Sequence, residues 1–113
     1  MTHEEFEKYL LSFPDSWLDF PFGKNTSVYK VSHEKTGKDR IFAIVAKNRQ
    51  PLRLSLKCDP QLAEHLRQEY ETVLPGHYLD KKYWNTVICN GQLTDEEIRD
   101  LIRLSYRLVT EAV

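Results

Sequence analysis

Long apolar runs, cysteines and glycines are all scarce in this chain of 113 residues. No apolar stretch approaches the ~20 residues that a membrane-spanning helix needs, and the first residues lack the basic segment and apolar core of a secretory signal. Only two cysteines are present, and they form no CxxC pair. We therefore expect no membrane partner, a cytoplasmic location and free thiols, although a pairing of Cys58 with Cys89 stays open at this level.

The composition is that of an ordinary globular domain. Hydrophobic residues make up 41% of the chain and charged residues 29%, with only four glycines, which argues against disorder. The length is sufficient to bury a core without disulfides or a metal. The sequence also has no internal repeat, low-complexity tract or linker, so a single domain over residues 1–113 is predicted.

Motifs that would carry catalysis or hold a cofactor are missing from the sequence. The four histidines form no HxxxH or HxH pair, no Cys/His group has zinc spacing, and there is no Walker loop, GxGxxG or GxSxG. Cys58 precedes a predicted helix, which can lower the pKa of a thiol, but the neighbouring Asp59 opposes this effect. We therefore predict a protein that is not an enzyme and that has no cofactor and no metal.

Charge is nearly balanced over the whole chain but is unevenly distributed. The net charge is −1. Residues 1–20 carry one base and five acids, residues 21–89 carry twelve bases and seven acids, and residues 90–113 carry three bases and five acids. The basic middle between acidic flanks favours a local anion-binding site over a generally basic surface.

Apolar periodicity and capping signals predict three helices and several strands. Thr2 and Thr94 each begin a capping box, and Asp59 followed by Pro60 is typical of a helix start. Strands are predicted over residues 17–20, 27–32, 40–46, 52–57 and 84–89, whereas Leu74, Pro75 and Gly76 are expected to break the chain.

Residues 52–57 have the clearest strand pattern. Leucines alternate with polar residues, so successive side chains must face opposite sides of a sheet. The leucines therefore predict the core side, and Arg53 and Lys57 are expected to face solvent on the other side.

An ordered set of short motifs runs along nearly the whole chain. The motifs are Pro21-Phe22-Gly23, residues 28–31 (VYKV), residues 54–60 (LSLKCDP), Leu66-Arg67, Pro75-Gly76, residues 82–87 (KYWNTV) and Ser105-Tyr106. Together they resemble the MmcQ/YjbR family. The resemblance implies an α+β domain with a small antiparallel sheet, helices packed on one face and a frataxin-like (CyaY-like) arrangement. It also implies DNA binding, because the hairpins of the family resemble a double wing. This chain departs from the pattern by a longer loop at residues 33–39.

A group of cations with one aromatic residue is the candidate DNA-binding site. It comprises Lys47, Arg49, Arg53, Lys57, Lys81, Lys82 and Tyr83. Cations contact phosphates and supply most non-specific affinity, and an exposed aromatic ring can stack on a base. Lys35, Lys38 and Arg40 can act as a second wing. We therefore expect a non-enzymatic module that docks on phosphates with weak sequence selectivity; the alternative for these cations is a solvated sheet face.

The two tryptophans lead to a second hypothesis. Strand alternation places Trp84 with Thr86 and Ile88, and its large apolar surface favours a half-buried core role over a ligand platform. Trp17 is assigned the same role. If the aromatic surface near Trp84 is instead open, the chain is a protein–protein or small-ligand adaptor that uses an aromatic cleft there.

Charged residues on the first and last helices have simpler interpretations. On the last helix the arginines recur every four residues and are expected to pair with acids at helical spacing, namely Arg99, Arg103 and Arg107 with Asp95, Asp100 and Glu111. Ser105 lies in the apolar stripe, where we expect a small residue that allows close packing. A frataxin-like fold also suggests iron binding by Glu4, Glu5 and Glu7, but these acids equally suit a helix N-terminus, which we favour.

Overall fold

The computed structural model describes residues 1–32, 37–76 and 79–111. Within these ranges the chain forms an α+β fold with six strands and three helices. In chain order the elements are α1 (His3–Leu11), β1 (Ser16–Asp19), β2 (Thr26–Ser32), β3 (Asp39–Ala46), β4 (Arg53–Lys57), α2 (Pro60–Glu69), β5 (Val73–Pro75), β6 (Trp84–Ile88) and α3 (Asp95–Thr110). The strands form one sheet in the order β1-β2-β3-β4-β6-β5, and every neighbouring pair is antiparallel.

All three helices begin at the side chains that the sequence predicts. The Thr2 hydroxyl accepts from the backbone N–H of Glu5 at 3.2 Å, and the Glu5 carboxylate accepts from the N–H of Thr2. Thr94 forms the same reciprocal pair with Glu97. Asp59 accepts from the N–H groups of the first turn of α2, which carries proline at its start. These caps satisfy backbone donors that would otherwise have no intrahelical partner.

The helices pack on one face of the sheet, and the hydrophobic core lies between them. The core side of the sheet carries a buried row on the inner strands, Val45, Leu54 and Val87, which are paired neighbours in the register. These three side chains belong to the same buried cluster as Phe6 of α1 and Ile102 of α3. Each strand thus contributes alternate residues to one core, as the pattern over residues 52–57 predicts.

One predicted break is in fact a strand. Leu74 and Pro75 form part of β5, which pairs with β6 at the edge of the sheet. Proline is tolerated there because an edge strand leaves one row of backbone groups unpaired. Gly76 then follows, and a Cβ atom at this position would lie 2.7 Å from the Cβ of Trp84. The sequence predicted a break because this segment contains both proline and glycine, which commonly end helices and strands.

A buried serine of α3 bridges β3 and β4 at the point where their pairing ends. The register between β2 and β3 shifts so that Phe42 has no partner, and the β3–β4 ladder ends before Lys57. The Ser105 hydroxyl donates to the Phe42 carbonyl at 2.5 Å and accepts from the Lys57 N–H at 2.9 Å. Ser105 is fully buried, so the small residue expected for close packing also satisfies two backbone groups that follow the last β3–β4 pair, Ala43 and Leu56.

The arginines of α3 pair with acids, but only partly with the predicted ones. Arg103 forms an ion pair with Asp100 as expected, whereas Arg99 pairs with Glu96, 3.7 Å away. Asp95 instead binds the amino group of Met1 at 3.2 Å. Asp95 stands in the first turn of α3, where the chain terminus can reach it, and this contact replaces the intrahelical pair.

No helix in the described part of the chain is long and apolar enough to cross a membrane.

Candidate nucleic-acid interface

The face of the sheet opposite the helices is formed by a second set of strand residues, which we call the open face. The register places one row across all six strands: Asp19, Val28, Ile44, Ser55, Thr86 and Leu74. A neighbouring row joins Thr26, Ala46, Arg53 and Ile88. Towards the other end of the strands lie Trp17, Lys30, Ile41, Lys57 and Trp84. None of these described side chains belongs to the core cluster, and two members of the central row, Val28 and Thr86, are themselves buried.

Both tryptophans therefore lie on the open face and outside the core that the helices cover. Trp84 is half-buried and shares a face with Thr86 and Ile88, as alternation predicts. The half-burial expected for Trp84 and Trp17 is confirmed, but neither ring belongs to the core cluster, because the core face of β6 is the one that carries Val87. The two rings stand instead among lysines on the exposed side of the sheet.

The polar side chain of Asn85 in β6 faces the helices and is stabilised there by hydrogen bonds. The side chain is buried, its Nδ2 donates to the Ala63 carbonyl at 3.1 Å, and its Oδ1 accepts from Arg67 at 3.2 Å. Arg67 also donates to the Lys81 carbonyl at 2.8 Å. A buried amide with these partners costs little, and it ties β6 and the preceding turn to α2.

The seven predicted site residues fall into two groups at opposite ends of the sheet. At the Arg53 end, Arg53 begins β4 beside Ala46, and the turn that contains Lys47 and Arg49 follows β3. Lys47 places its ammonium 4.6 Å from the centre of the Phe20 ring. Arg49 is exposed in the turn.

At the Lys57 end, the register pairs Lys57 directly with Trp84. Lys81, Lys82 and Tyr83 form the turn before β6, and all three are exposed. The Cys58 N–H donates to the Tyr83 carbonyl at 2.7 Å, and the Lys82 ammonium lies 5.6 Å from the Tyr83 ring centre. This turn is therefore held against the end of β4, which brings four of the predicted residues together.

Arg53 and Lys57 share one face of the sheet, but the two groups do not form one continuous patch. Arg53 and Lys57 are four residues apart on the same strand, so their side chains leave the sheet about 13 Å from each other. Between them lies Ser55, whose hydroxyl is 2.8 Å from that of Thr86. A ligand that contacts both groups must span this distance along β4. Of the second wing, Lys35 lies outside the described residues, and Arg40 is at the Lys57 end of β3.

One further cation of the open face is already neutralised within the protein. The Lys30 ammonium lies 2.8 Å from the Asp19 carboxylate and 5.2 Å from the centre of the Trp17 ring. Hydrogen bonds from Lys30 and from the Phe20 N–H hold the pKa of Asp19 below its usual range. Asp19 is thus charged at neutral pH, and Lys30 has less charge to offer to a ligand than Arg53 or Lys57.

The two cysteines are separate free thiols. Cys58 follows the last residue of β4, whereas Cys89 follows the last residue of β6, and these antiparallel strands place them at opposite ends of the sheet. That separation is far beyond the reach of a disulfide. Burial raises the pKa of each thiol to about 11, so Cys58 is protonated at neutral pH and is a poor nucleophile.

An apolar cleft lies on the helix side of the sheet, between α2 and α3. The described residues that line it are Leu56, Lys57, Cys58, Leu66, Val73, Asn85, Val87, Leu101 and Leu104. Neither Trp84 nor Tyr83 is among them, so this cleft is not the aromatic one that the sequence suggested. In the described ranges no three His, Cys, Asp or Glu side chains are grouped so that they could hold a metal ion.

The sequence-based site omits the aromatic residues at the Arg53 end. Phe20 and Phe22 are exposed in the loop between β1 and β2, and Lys24 follows them. Lys47 lies over Phe20, which joins this loop to the predicted group. In the sequence these residues are marked only by the Pro21-Phe22-Gly23 motif, which supports the family resemblance but does not by itself indicate a binding site.

A family model and curated relatives match this chain. A family model described as YjbR matches residues 11–108. The uncharacterized protein YbdF of Escherichia coli O157:H7 is 30% identical over 111 residues, covering 98% of this chain and 86% of that protein. The uncharacterized protein YjbR of Escherichia coli K12 is 40% identical over 70 residues, covering 62% of this chain and 59% of that protein.

Two solved structures share the fold over almost all of this chain. Deinococcus radiodurans protein DR2400, with a DUF419 domain, has a TM-score of 0.91 and 38% identity, covering 98% of this chain and 80% of that chain. A Pseudomonas syringae protein has a TM-score of 0.76 and 27% identity, covering 96% of this chain and 98% of that chain. With a family match along most of its length, the chain belongs to the YjbR family.

Proposed function

We propose that this protein is a non-enzymatic module that binds DNA, docking the open face of its sheet on phosphates with weak sequence selectivity. The observation that supports this most is the pair of cationic groups, one at each end of a face that no described helix covers. The proposal includes the finer likeness implied by the family resemblance, a frataxin-like (CyaY-like) sheet with double-wing hairpins, and a cytoplasmic location.

The local charge supports an anionic partner despite the net charge of the chain. Residues 40–58 contain five cations and no acid: Arg40, Lys47, Arg49, Arg53 and Lys57. Asp19 is the one acid in the described rows of the open face, and Lys30 neutralises it. A face of one sign raises the local concentration of a polyanion even when the rest of the molecule is acidic.

The surrounding contacts hold the cations of the Lys57 end in place before any ligand binds. The backbone N–H of Lys57 donates to the hydroxyl of Ser105 in α3, and Arg67 of α2 donates to the backbone carbonyl of Lys81. These bonds hold the backbone of Lys57 and of the turn that carries Lys81. Because the backbone positions are already ordered, binding has to immobilise only the ends of the lysine side chains. This reduces the entropic cost of docking.

A salt-titrated binding assay tests the proposal. Anisotropy of a labelled oligonucleotide is measured with increasing salt, for duplex and for single-stranded DNA. If Arg53, Lys57, Lys81 and Lys82 each contact one phosphate, the log–log slope for duplex DNA is about −3 to −4, and each replacement by alanine reduces its size by about 0.9. Lys8 and Arg107 are matched controls because both are exposed on helices, away from the open face. Their replacement is expected to leave the slope unchanged.

Two results would contradict the proposal. One is the absence of binding to either form of DNA at low salt. The other is binding whose slope is the same for the open-face variants and for the Lys8 and Arg107 controls. In either case the cations of the open face serve only to keep the sheet soluble.

The second candidate, from the sequence, is a protein–protein or small-ligand adaptor that uses an aromatic cleft near Trp84. The exposed Tyr83 ring beside Trp84 is the observation that favours it. Such a partner would bury apolar surface, so its binding would change little with salt. Binding that weakens steeply with added salt thus supports the DNA-binding function, whereas binding that changes little with salt supports the adaptor.

A further inference from the structure

Phe22 is the most exposed of the large hydrophobic side chains in the described part of the chain. It is 66% exposed, whereas the next in order, Phe20, is 41% exposed. A single exposed apolar residue is common and needs no explanation by itself. Here the residue stands at the Arg53 end of the open face, next to a second aromatic ring and several cations, and this placement is what calls for a function.

The loop that carries Phe22 is fixed by backbone hydrogen bonds. The Gly23 N–H donates to the Phe20 carbonyl at 3.3 Å, and the Thr26 N–H donates to the Gly23 carbonyl at 3.2 Å. Gly23 has a φ of +106°, which a residue with a side chain rarely adopts. The Lys47 N–H donates to the Asn25 carbonyl at 2.9 Å, which ties the loop to the β3–β4 turn. Phe22 is therefore displayed from a defined backbone.

The two phenylalanines of this loop differ in what already contacts their rings. The Lys47 ammonium lies 4.6 Å from the centre of the Phe20 ring and engages its π-system. No ring or cation contact is found for Phe22 among the described residues. Lys24 lies in the same loop, and the acid that precedes the loop, Asp19, is paired with Lys30. An open ring thus stands beside cations at the edge of a sheet.

We propose that Phe22 stacks on an unpaired base, so that the preferred ligand of the open face is single-stranded rather than duplex nucleic acid. Phosphates of the same nucleic-acid strand then contact Lys47 and Arg53. Both residues lie at the end of the sheet that adjoins the Phe22 loop. The inference rests on the proposed function and makes it more specific. Base faces are free in a single strand, whereas in a duplex a side chain must first separate a base step before it can stack.

The test compares a labelled oligodeoxythymidylate with a duplex of the same length, at equal salt, on the full chain. We expect tighter binding to the single strand. Replacing Phe22 by Ala is expected to weaken that binding about ten-fold or more, and Phe22→Tyr to restore most of it, because tyrosine keeps the stacking ring. Leu104→Ala is the matched control, since Leu104 is an exposed hydrophobic residue on α3.

The outcomes separate this inference from the proposed function. If neither probe binds at low salt, the proposed function fails and the inference fails with it. If DNA binds but Phe22→Ala has no more effect than Leu104→Ala, or if the duplex binds more tightly, only the inference is overturned. Binding of anionic phospholipid vesicles without binding of either DNA, lost in Phe22→Ala, would assign the loop to a lipid surface and overturn it as well.

Discussion

The bond network of Ser105 gives the sharpest stability prediction. Its hydroxyl is fully buried and bridges the Phe42 carbonyl and the Lys57 N–H, which follow the last β3–β4 pair. Ser105→Ala removes both hydrogen bonds and admits no water to replace them. Each buried backbone group that loses its partner costs about 1–3 kcal/mol. Because two groups lose their partner, we expect the free energy of unfolding to fall by roughly 2–6 kcal/mol in total.

Chemical unfolding measured by circular dichroism tests this value. The midpoint in urea should fall with an unchanged slope, and the melting temperature should fall by on the order of 10 °C for a domain of this size. Ser12→Ala is the control. Ser12 is exposed at the end of α1, where its hydroxyl donates to the Tyr9 carbonyl, and its loss is expected to cost within about 0.5 kcal/mol.

Unfolding of Ser105→Ala at the same urea concentration as Ser12→Ala would refute this expectation. That result would mean that the Phe42 carbonyl and the Lys57 N–H find other partners. A changed slope would instead show that the variant alters the compactness of one of the two states.

Three further predictions follow from individual contacts. Gly76→Ala is expected to destabilise the fold by about 1–3 kcal/mol in the same unfolding assay, because the new Cβ would meet Trp84 at 2.7 Å; a cost equal to that of Pro75→Ala would contradict this. Asp19→Asn removes the acid that neutralises Lys30, so DNA affinity at low salt should rise about two- to five-fold, and an unchanged affinity would show that Lys30 takes no part. Burial raises the pKa of both thiols to about 11, so alkylation at pH 8 should be ten-fold or more slower in the native than in the urea-unfolded protein, whereas equal rates would contradict their burial.

Local signals in the sequence predict the elements of this fold well. Capping boxes at Thr2 and Thr94 act within four residues, so they identify helix starts without knowledge of the rest of the chain. Alternation over residues 52–57 similarly separates the leucines from Arg53 and Lys57. These patterns depend only on backbone geometry, and the structure confirms them.

Strand faces could not be assigned where burial depends on a distant partner. In β6 the more apolar set, which includes Trp84 and Ile88, lies on the open face, whereas Asn85 faces the core. Asn85 is acceptable there only because Ala63 and Arg67 of α2 satisfy its amide. Hydrophobicity alone therefore predicts the wrong face, since the compensating groups are about twenty residues away in the sequence.

The division of the candidate site into two ends depends on the register of the sheet. The sequence suggests one basic surface, but antiparallel pairing of β4 with β6 places Lys57 beside Trp84 and Arg53 beside Ile88. Phe22 was overlooked as a site residue because the exposure of a loop residue is set by the packing around it. Both features require the tertiary arrangement.

The central claim is that nucleic acid binds on the open face, and a titration of the isotope-labelled protein followed by NMR tests it most directly. With a single-stranded oligonucleotide at low salt, we expect the indole N–H signal of Trp84 and the side-chain N–H signal of Arg53 to shift in a saturable way. Signals of the α2–α3 cleft, such as the Leu104 methyl groups, should stay in place. Shifts confined to that cleft, or no shift at all at low salt, would contradict the account.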